Sequence, residues 1–202
     1  MAKLIFKYST MNSGKTIDLI RTVHNYEENN YKVLVLKPIV DTKGNDKIQT
    51  RVGLERKVDF LIGENDSIIN LLKGNLEDIE CIFIDESQFL KQGQIDELFL
   101  ITKAIDIPVI CYGLRNNFRL ESFEGSKRLL EIADSLEEFK TLCYCGDIAR
   151  YVGRKVNGKY VVEGDEILID GENNVEYIPF CGKHYLENVT KIDLQKIKED
   201  LR

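Results

Sequence analysis

The sequence predicts an α/β fold: a parallel sheet covered by helices on both sides, followed by a small β subdomain held together by a metal ion. Through the first two thirds of the 202 residues, short apolar runs alternate with stretches of helical periodicity, which is the pattern of a parallel sheet with covered faces. A phosphate-loop pattern follows the first of these runs. From Lys140 onward, turn signals and closely spaced cysteines replace the helical pattern, which indicates a separate β subdomain.

Each element is predicted from its own stretch of sequence. Apolar runs predict strands at Leu4 to Tyr8, Val33 to Leu36, Val58 to Ile62, Cys81 to Ile84 and Val109 to Tyr112. Helical periodicity predicts helices through Ile17 to Val23, at Asp66 to Leu72 with Asp66 as the cap, and at Gln94 to Ile105, Phe123 to Ala133 and Leu186 to Leu201. Polar stretches predict mobile loops at Pro38 to Arg56 and Gly164 to Tyr177, and turns at Asn157-Gly158 and Asp170-Gly171. We therefore expect a core of residues 1–140, a subdomain of residues 141–190 and a helical tail of residues 191–202.

Composition excludes several classes of protein. A hydrophobic fraction of 43% and a charged fraction of 31% are ordinary for a folded domain and lack the signature of disorder. A net charge of −6 argues against a surface built to hold a nucleic-acid backbone. No segment approaches the roughly 18 apolar residues of a membrane span, and no signal-peptide layout is visible, so we expect a cytoplasmic protein.

The strongest chemical signal is a phosphate-binding loop between the first strand and the first helix. Backbone N–H groups of such a loop converge on the phosphates, Gly14 lets the main chain approach, Lys15 reaches the outer phosphates and Thr16 can ligate magnesium. Ser9 stands where the usual pattern has Gly. The alternative is a Ser/Asn-rich turn that caps an ordinary helix. We expect a nucleoside triphosphate to bind at the loop, whose residues are Ser9, Thr10, Met11, Asn12, Ser13, Gly14, Lys15 and Thr16.

Two carboxylates directly follow the predicted strand Cys81 to Ile84. Ligands gather at the carboxyl ends of strands in open parallel sheets. In phosphate-loop proteins the first carboxylate typically holds Mg²⁺, and the second lies beside the γ-phosphate. Asp85 therefore fits the magnesium ion, and Glu86 fits the base that orients the attacking oxygen and accepts its proton. The alternative is a pair of acids that cap the following helix.

These motifs leave the phosphate acceptor open. Water as the acceptor gives an ATPase, a bound hydroxyl gives a kinase, and binding without transfer gives a nucleotide sensor. The sequence has no long basic arm, repeat or partner-sized insertion of the kind that a motor or helicase carries, and two predicted loops lie beside the site. These features favour a small-molecule kinase.

The five cysteines fall into two groups. Cys81 and Cys111 lie inside apolar runs and are predicted to be small buried hydrophobes. The other three form two pairs of close metal ligands with one histidine, separated by a long stretch of chain. Such a set predicts one tetrahedral zinc ion with no open position, and hence a structural role, against the alternative of unrelated buried thiols. The predicted ligands are Cys143, Cys145, Cys181 and His184.

Four motifs follow one another along the chain: Ser13-Gly14-Lys15-Thr16, Asp85-Glu86-Ser87-Gln88-Phe89, Cys111-Tyr112-Gly113-Leu114 and the cysteine-bearing tail. Together they resemble the type II thymidine kinases over nearly the whole chain. The resemblance implies a P-loop NTPase core with a RecA-like parallel sheet, and a small zinc-binding subdomain with a lasso-like loop. It implies transfer of the γ-phosphoryl group of MgATP to the 5′-hydroxyl of thymidine, which gives dTMP for DNA precursor synthesis, with Glu86 as the general base. It also implies a homotetramer and feedback inhibition by dTTP.

The same resemblance assigns further site residues. Arg51 matches the arginine of a flexible loop that reaches ATP, and Gln88 joins Asp85 and the phosphate loop among the nucleotide-binding residues. Apolar residues around the nucleoside match Phe89, Leu114, Phe118 and Phe123. A loop that reads the base through backbone groups is expected at Glu166, Ile167, Leu168, Ile169 and Asp170, with Tyr177 following. The chain departs from the family at Ile169-Asp170-Gly171, where Ile-Gly-Gly is common, and at the Cys-x-Cys pair, where Cys-x-x-Cys is common.

Overall fold

The structure is a computed structural model, which describes residues 1–40, 46–164 and 174–202. The chain divides into two compact units. One unit comprises Met1–Tyr8, Gly14–Arg115 and Phe123–Phe139, and the other comprises Ser9–Ser13, Asn116–Ser122 and Lys140–Arg202. The second unit thus draws on three separate stretches of sequence.

The first unit is built on a six-stranded parallel sheet and a short antiparallel hairpin. Its strands β1 to β8 are Leu4–Ser9, Lys32–Pro38, Lys47–Gln49, Glu55–Lys57, Phe60–Ile62, Ile79–Ile84, Val109–Leu114 and Ser135–Glu138. The sheet has the order β5-β2-β6-β7-β1-β8, and β3 pairs with β4 in the hairpin. Leu36 of β2 aligns with Ile84 of β6, which aligns with Cys111 of β7, so neighbouring strands run to one common edge. The predicted α/β class is confirmed, and all five predicted strands form.

Four α-helices of the described residues belong to this unit. In chain order, α1 to α4 are Lys15–Glu28, Ile68–Leu72, Gln92–Ile105 and Glu124–Ile132. Side chains of adjacent positions on β6 enter different apolar clusters, because successive residues of a strand point to opposite faces. Ile82 lies in the same cluster as Ile95 of α3, whereas Phe83 lies in the same cluster as Leu19 of α1. Helices therefore cover both faces of the sheet, as predicted.

Two buried cysteines lie in this core. Cys81 of β6 and Cys111 of β7 have no solvent exposure. Burial raises the pKa of Cys81 to about 12 and also raises the pKa of Cys111. Both thiols therefore stay protonated at neutral pH, and the prediction that they are small buried hydrophobes is confirmed.

The second unit is mainly β structure. Its strands β9 to β13 are Thr141–Leu142, Ile148–Ala149, Tyr151–Val156, Lys159–Val161 and Val175–Phe180. Strands β12, β11 and β13 form an antiparallel sheet in that order, and β9 pairs with β10. The predicted turn between β11 and β12 is confirmed: Asn157 and Gly158 both have positive φ, of 50° and 76°, as a two-residue hairpin turn requires. After β13 the chain forms α5 (Gly182–Tyr185), a π-helical turn (Leu186–Thr190) and α6 (Leu194–Asp200).

The structure corrects two helix predictions. The cap of α2 is Ser67, not Asp66, because the Ser67 hydroxyl accepts a hydrogen bond from the backbone N–H of Asn70. The predicted single helix from Leu186 to Leu201 is also wrong. Lys191 adopts a left-handed conformation with φ 59°, which ends the π-helical turn, and Asp193 then caps a new helix. Among the described residues, no helix combines the length and hydrophobicity that crossing a bilayer requires.

The two predicted loops are partly strand. The stretch from Pro38 to Arg56 includes β3 and most of β4, while its residues 41–45 lie outside the described part of the chain. Residues 165–173 are likewise outside the described ranges, which includes the predicted turn Asp170-Gly171. Tyr177, predicted to follow a loop, lies within β13.

A sixth sheet strand was not predicted. Ser135–Glu138 forms β8 and pairs in parallel with β1 at the edge of the sheet. Its sequence Ser-Leu-Glu-Glu is half-buried or exposed throughout, so it carries no apolar run from which a strand can be predicted.

Candidate active site

The phosphate loop connects β1 to α1 where the sequence predicts it. Asn12 and Gly14 both have left-handed backbone conformations, with φ of 62° and 83°. Gly14 is the N-cap of α1 and makes no side-chain cap hydrogen bond. The N–H groups at the start of a helix are donors of the kind that bind an anion.

Ser9 fits the first position of this loop, where glycine is usual. It is 4% exposed. Its hydroxyl donates to the carbonyl oxygen of Thr10 at 2.6 Å and is in hydrogen-bond contact with the hydroxyl of Ser13. The Ser9 hydroxyl therefore makes hydrogen bonds to other residues of the same loop.

The two predicted carboxylates leave the sheet at the carboxyl end of β6. Asp85 is 4% exposed, and its backbone N–H donates to the carbonyl oxygen of Leu36 at 3.0 Å, which continues the β2–β6 pairing past the end of the strand. Glu86 then turns sharply, with φ 48° and ψ 38°, and begins a 3₁₀ turn at Ser87–Phe89. This left-handed conformation is uncommon for residues other than glycine and is concentrated at functional sites.

A chain of hydrogen bonds from β7 holds the Glu86 carboxylate. The Gln88 side-chain amide donates to Glu86 through its nitrogen, and its oxygen accepts from the backbone N–H of Leu114 at 3.0 Å. The Ser87 hydroxyl donates to the carbonyl oxygen of Tyr112 at 2.9 Å. Gly113 makes this approach feasible, because a Cβ there would lie 2.8 Å from the Ser87 Oγ and 2.9 Å from the Gln88 Oε1.

Lys15 lies in the electrostatic field of both carboxylates. Burial of its ammonium group lowers its pKa from the ordinary value, while the charges of Glu86 and Asp85 act in the opposite direction. Lys15, Asp85 and Glu86 are therefore brought together in the first unit. A cation beside two carboxylates at the rim of a parallel sheet is an arrangement suited to holding a metal–triphosphate complex.

Apolar residues of the predicted nucleoside site lie next to Gln88. The rings of Phe89 and Phe123 meet edge to face, with centroids 5.8 Å apart and an interplanar angle of 83°. Leu114 is held at its backbone, because its carbonyl oxygen accepts a hydrogen bond from the Ser126 hydroxyl at 2.6 Å. These three predicted residues thus belong to the same unit as the carboxylates.

The remaining predicted residues have different positions. Arg51 is exposed on the turn between β3 and β4, and Thr16 is half-buried in the first turn of α1. Phe118 is buried within the second unit, to which Tyr177 also belongs. The predicted base-reading residues Glu166, Ile167, Leu168, Ile169 and Asp170 lie outside the described part of the chain.

The predicted metal ligands come together in the second unit. One ligand atom from each residue can be chosen so that all four lie within 4.8 Å of one another. The Nδ1 atom of His184 is 3.4 Å from the Sγ of both Cys143 and Cys181, and the Sγ atoms of Cys145 and Cys181 are 3.9 Å apart. Ligands around a tetrahedral zinc ion would be about 3.6 to 3.8 Å apart. The cluster therefore fits one zinc ion.

The thiols of this cluster titrate unequally. Burial disfavours the thiolate of Cys143, but hydrogen bonds from the backbones of Cys145 and Cys181 and from His184 outweigh it and lower the pKa of Cys143 to about 6. The backbone hydrogen bond from Asp147 favours the thiolate of Cys145, but burial and the neighbouring Cys143 and Cys181 together outweigh it and raise the pKa of Cys145 to about 11. One thiolate is thus favoured even before a metal binds, and a thiolate is the form that coordinates zinc.

Sequence reasoning missed two residues that shape these sites. Gly113 was part of a recognised motif, but nothing in the sequence says that β7 approaches the turn after β6. Arg154 of β11 carries no motif, yet it is 1% exposed, and its guanidinium carbon lies 3.6 Å from the centroid of the Phe118 ring. The hairpin pattern around Asn157 could have placed Arg154 on a strand, but not against Phe118.

Comparison with known proteins identifies the family. The family model described as thymidine kinase matches residues 2–185. The chain belongs to the thymidine kinase family. It is 44% identical over 189 residues to the thymidine kinase of Streptococcus gordonii, a match that covers 93% of this chain and 97% of the relative. The thymidine kinases of Streptococcus pyogenes serotype M28 and Streptococcus agalactiae serotype Ia are 42% and 41% identical over 187 residues, covering 92% of this chain and 97% of each relative.

Membership of the thymidine kinase family agrees with the chemistry of the first unit. The matched residues 2–185 include the phosphate loop, both carboxylates and all four members of the Cys₃His cluster. The match to the family model and to the relatives confirms the resemblance to thymidine kinases that the four sequence motifs indicate.

Proposed function

We propose that this chain is a thymidine kinase that transfers the γ-phosphoryl group of MgATP to the 5′-hydroxyl of thymidine, giving dTMP for DNA precursor synthesis. The observation that carries the proposal is that β6 delivers Asp85 and Glu86 at the carboxyl edge of the sheet, in a chain of this family, and that both carboxylates act electrostatically on Lys15. Phosphoryl transfer depends mainly on positioning and on electrostatic stabilisation. A cation, two carboxylates and a helix N-terminus supply both.

Glu86 is the proposed general base. As the 5′-oxygen of thymidine forms its bond to the γ-phosphorus, the bond from that phosphorus to the bridging oxygen of ADP breaks. The hydroxyl proton passes to the Glu86 carboxylate, and the electron pair of the broken bond leaves with ADP. Gln88 keeps the carboxylate aimed by the hydrogen bonds that tie it to Leu114.

The nucleotide-binding roles follow the phosphate loop. Residues 9–16 hold the phosphates, Lys15 reaches the γ-phosphate, and Arg51 approaches ATP from the β3–β4 turn. Thr16 and Asp85 offer a hydroxyl and a carboxylate, which are oxygen ligands of the kind that Mg²⁺ prefers. When bound there, Mg²⁺ neutralises charge on the β- and γ-phosphates.

The nucleoside-binding roles are divided between side chains and backbone. Phe89, Leu114, Phe118 and Phe123 are the proposed apolar residues around thymidine, and Tyr177 is a further proposed nucleoside-binding residue. Residues 166–170 are the proposed base-reading loop, which acts through backbone groups. Because backbone groups would recognise the base, no single side chain in the sequence indicates which base is bound.

The organisation of the chain completes the proposal. Residues 1–140 are the proposed kinase core, residues 141–190 the zinc-binding subdomain with its covering loop, and residues 191–202 a helical tail. The Cys₃His cluster is proposed to hold a structural zinc ion, since four protein ligands leave no open position. We also place the protein in the cytoplasm as a homotetramer that dTTP inhibits.

A nucleoside panel tests the function. The purified protein is incubated with Mg²⁺ and ATP labelled at the γ-phosphate, with thymidine, deoxycytidine, deoxyadenosine or deoxyguanosine as the acceptor, or with none. We expect label to enter dTMP, with little transfer to purine nucleosides. Release of inorganic phosphate without an acceptor would identify an ATPase instead, and tight ATP binding with neither product would identify a nucleotide sensor.

A further inference from the structure

Arg154 is a fully buried cation outside the phosphate loop and the metal cluster. It lies on β11 with 1% of its surface exposed. By volume, it is the largest fully buried side chain among the described residues. Arginine is almost never fully buried unless other groups compensate its charge. Its surroundings therefore indicate what the buried guanidinium does.

The guanidinium of Arg154 stacks on a residue of the proposed nucleoside site. Its central carbon is 3.6 Å from the centroid of the Phe118 ring, well inside the limit of about 6 Å for a cation–π contact. Phe118 is itself 1% exposed. Because both partners are removed from water, this contact is stronger than a cation–π contact on the surface.

Backbone groups fix the guanidinium in this position. Its Nη2 donates to the carbonyl oxygen of Glu163 at 2.9 Å. The same atom would lie 2.8 Å from a Cβ at Gly164, whose φ of 110° also disfavours any side chain. Arg154 thus has little freedom to rotate away from the Phe118 ring.

Phe118 is held at its backbone as well as at its ring. Its carbonyl oxygen accepts a hydrogen bond from the Tyr185 hydroxyl at 2.6 Å. A second guanidinium, that of Arg119, lies 5.5 Å from the ring centroid, and its Nη1 donates to the carbonyl oxygen of Gly164 at 3.1 Å. Groups outside the proposed nucleoside site therefore hold Phe118 at its backbone and contact its ring.

The strand register also relates Arg154 to Tyr177, a second proposed nucleoside-binding residue. Arg154 of β11 is directly opposite Tyr177 of β13. Residues opposite each other in an antiparallel pair place their side chains on the same face of the sheet. Arg154 thus contacts Phe118 and shares a face with Tyr177, and both of these residues are expected around the nucleoside.

We propose that Arg154 is a positioning residue for nucleoside binding, which sets the plane of the Phe118 ring through the stacked guanidinium. This inference rests on the proposed function, since Phe118 matters to the reaction only if a nucleoside is the acceptor. The proposed role of Arg154 is exerted through Phe118. Removal of Arg154 should weaken thymidine binding while leaving ATP binding in place, because the stacking contact of Arg154 is with Phe118, a proposed nucleoside-binding residue.

The test compares the Michaelis constants of two substrates in variants of the full chain. Arg154→Met keeps much of the apolar stem and removes the guanidinium. Arg154→Lys keeps a cation but loses the planar stack and the fork geometry. Arg150→Met is the matched control, because Arg150 is exposed immediately before the same strand. Should Arg154→Met give no folded protein, the comparison is made with Arg154→Lys.

For Arg154→Met we expect the KM for thymidine to rise at least about tenfold, which corresponds to about 1.4 kcal/mol, with the KM for ATP changed less than about twofold. Arg154→Lys should rescue this only in part, and Arg150→Met should match the unchanged protein. Equal KM values for thymidine in Arg154→Met and the unchanged protein, with only a lower melting temperature, would overturn the inference, because a purely structural role predicts that result.

A double-mutant cycle tests whether Arg154 acts through Phe118. Phe118→Leu removes the aromatic face on which the guanidinium stacks. If the coupling is real, adding Arg154→Met to Phe118→Leu should raise the KM for thymidine little further. Full additivity would overturn the inference. Failure of the unchanged protein to phosphorylate thymidine would instead contradict the proposed function, and the two failures are therefore distinguishable.

Discussion

Among single residues, Glu86 combines an unfavourable backbone conformation with a tightly held side chain. A left-handed φ of 48° at a residue with a Cβ costs on the order of 1–3 kcal/mol. The structure offsets this cost with the Gln88 hydrogen bond to the carboxylate and with the Ser87 hydroxyl bound to Tyr112. A strained residue that several contacts hold in place is expected where one functional group must be aimed at a reacting atom.

Replacing the carboxylate tests this role directly. Glu86→Gln keeps the shape of the side chain but cannot accept the hydroxyl proton. We expect kcat for thymidine to fall by about 10²- to 10⁴-fold, the usual contribution of a general base, with ATP affinity nearly unchanged. Steady-state kinetics and nucleotide titration measure the two quantities.

Glu80→Gln is the control for this substitution, since Glu80 is an exposed residue of the same strand, β6. It should retain normal turnover. A Glu86→Gln variant with near-normal kcat would show that another group accepts the proton.

Among elements, the turn that follows β6 is positioned by close contact with two neighbours. Strand β7 approaches it at Gly113, as described for the site. Helix α4 approaches it at Gly125, where a Cβ would lie 2.5 Å from the carbonyl oxygen of Ser87 and 2.7 Å from that of Leu90. Both glycines allow approach because they lack a side chain, and neither has the positive φ for which glycine is often required. The position of the turn that carries Glu86 thus depends on how closely β7 and α4 pack against it.

Adding one methyl group at Gly113 should disturb both stability and catalysis. We expect Gly113→Ala to lower the free energy of unfolding by about 1–3 kcal/mol, the usual cost of overpacking a core, and to lower kcat as Gln88 moves away from Glu86. Denaturant unfolding and steady-state kinetics provide the measurements.

The matched control is Gly93→Ala in α3, where a Cβ would have no neighbour within 4 Å. That change should raise stability by up to about 1 kcal/mol, because alanine is the better helix former. Equal stability and equal kcat in the two variants would contradict the proposed packing at Gly113.

At the scale of the whole molecule, the two units are stabilised differently. The first unit has apolar clusters on both faces of its sheet. Among the residues that the structure describes, the buried cluster of the second unit is small and includes two of the proposed metal ligands, Cys143 and Cys181, beside Ala149, Phe180, Tyr185 and Val189. Units with little apolar core commonly depend on a metal ion or disulfides for stability. The Cys₃His cluster is therefore expected to contribute a large share of the second unit's stability.

Removing one proposed zinc ligand should show how much of the second unit's stability comes from the metal ion and how much comes from packing. We expect Cys145→Ser to bind less than a full equivalent of zinc and to melt at a lower temperature, because metal binding is coupled to folding of the unit that carries the ligands. A strong chelator added to the unchanged protein should lower the melting temperature in the same way. Metal analysis and thermal unfolding measure both effects.

Cys81→Ala serves as the control, since it removes a buried thiol from the first unit. It should lower stability through the cavity that it creates, but retain its zinc. Full zinc content and unchanged melting in Cys145→Ser would rule out Cys145 as a ligand.

The residue types and short spacings of the sequence were sufficient for much of the fold and for the chemical signals. Apolar runs of four or five residues predicted five of the six sheet strands because such runs are needed to bury a strand on both faces. The phosphate loop and the Asp85-Glu86 pair were predictable because each places its chemically distinctive residues within a few positions along the chain. The Cys₃His set was predictable because it consists of two such short pairs, Cys143 with Cys145 and Cys181 with His184. Edge strand β8 and the break at Lys191 were not, because neither depends on a strong local pattern.

Contacts between distant parts of the chain could be known only from the folded molecule. Gln88 joins Glu86 to Leu114, Gly113 admits the turn, and Arg154 stacks on Phe118. Each contact pairs residues that lie far apart in sequence, and any of several residue types could occupy those positions without changing the local pattern. Hydrophobic periodicity states which residues are buried, but packing in three dimensions selects the neighbours against which they are buried.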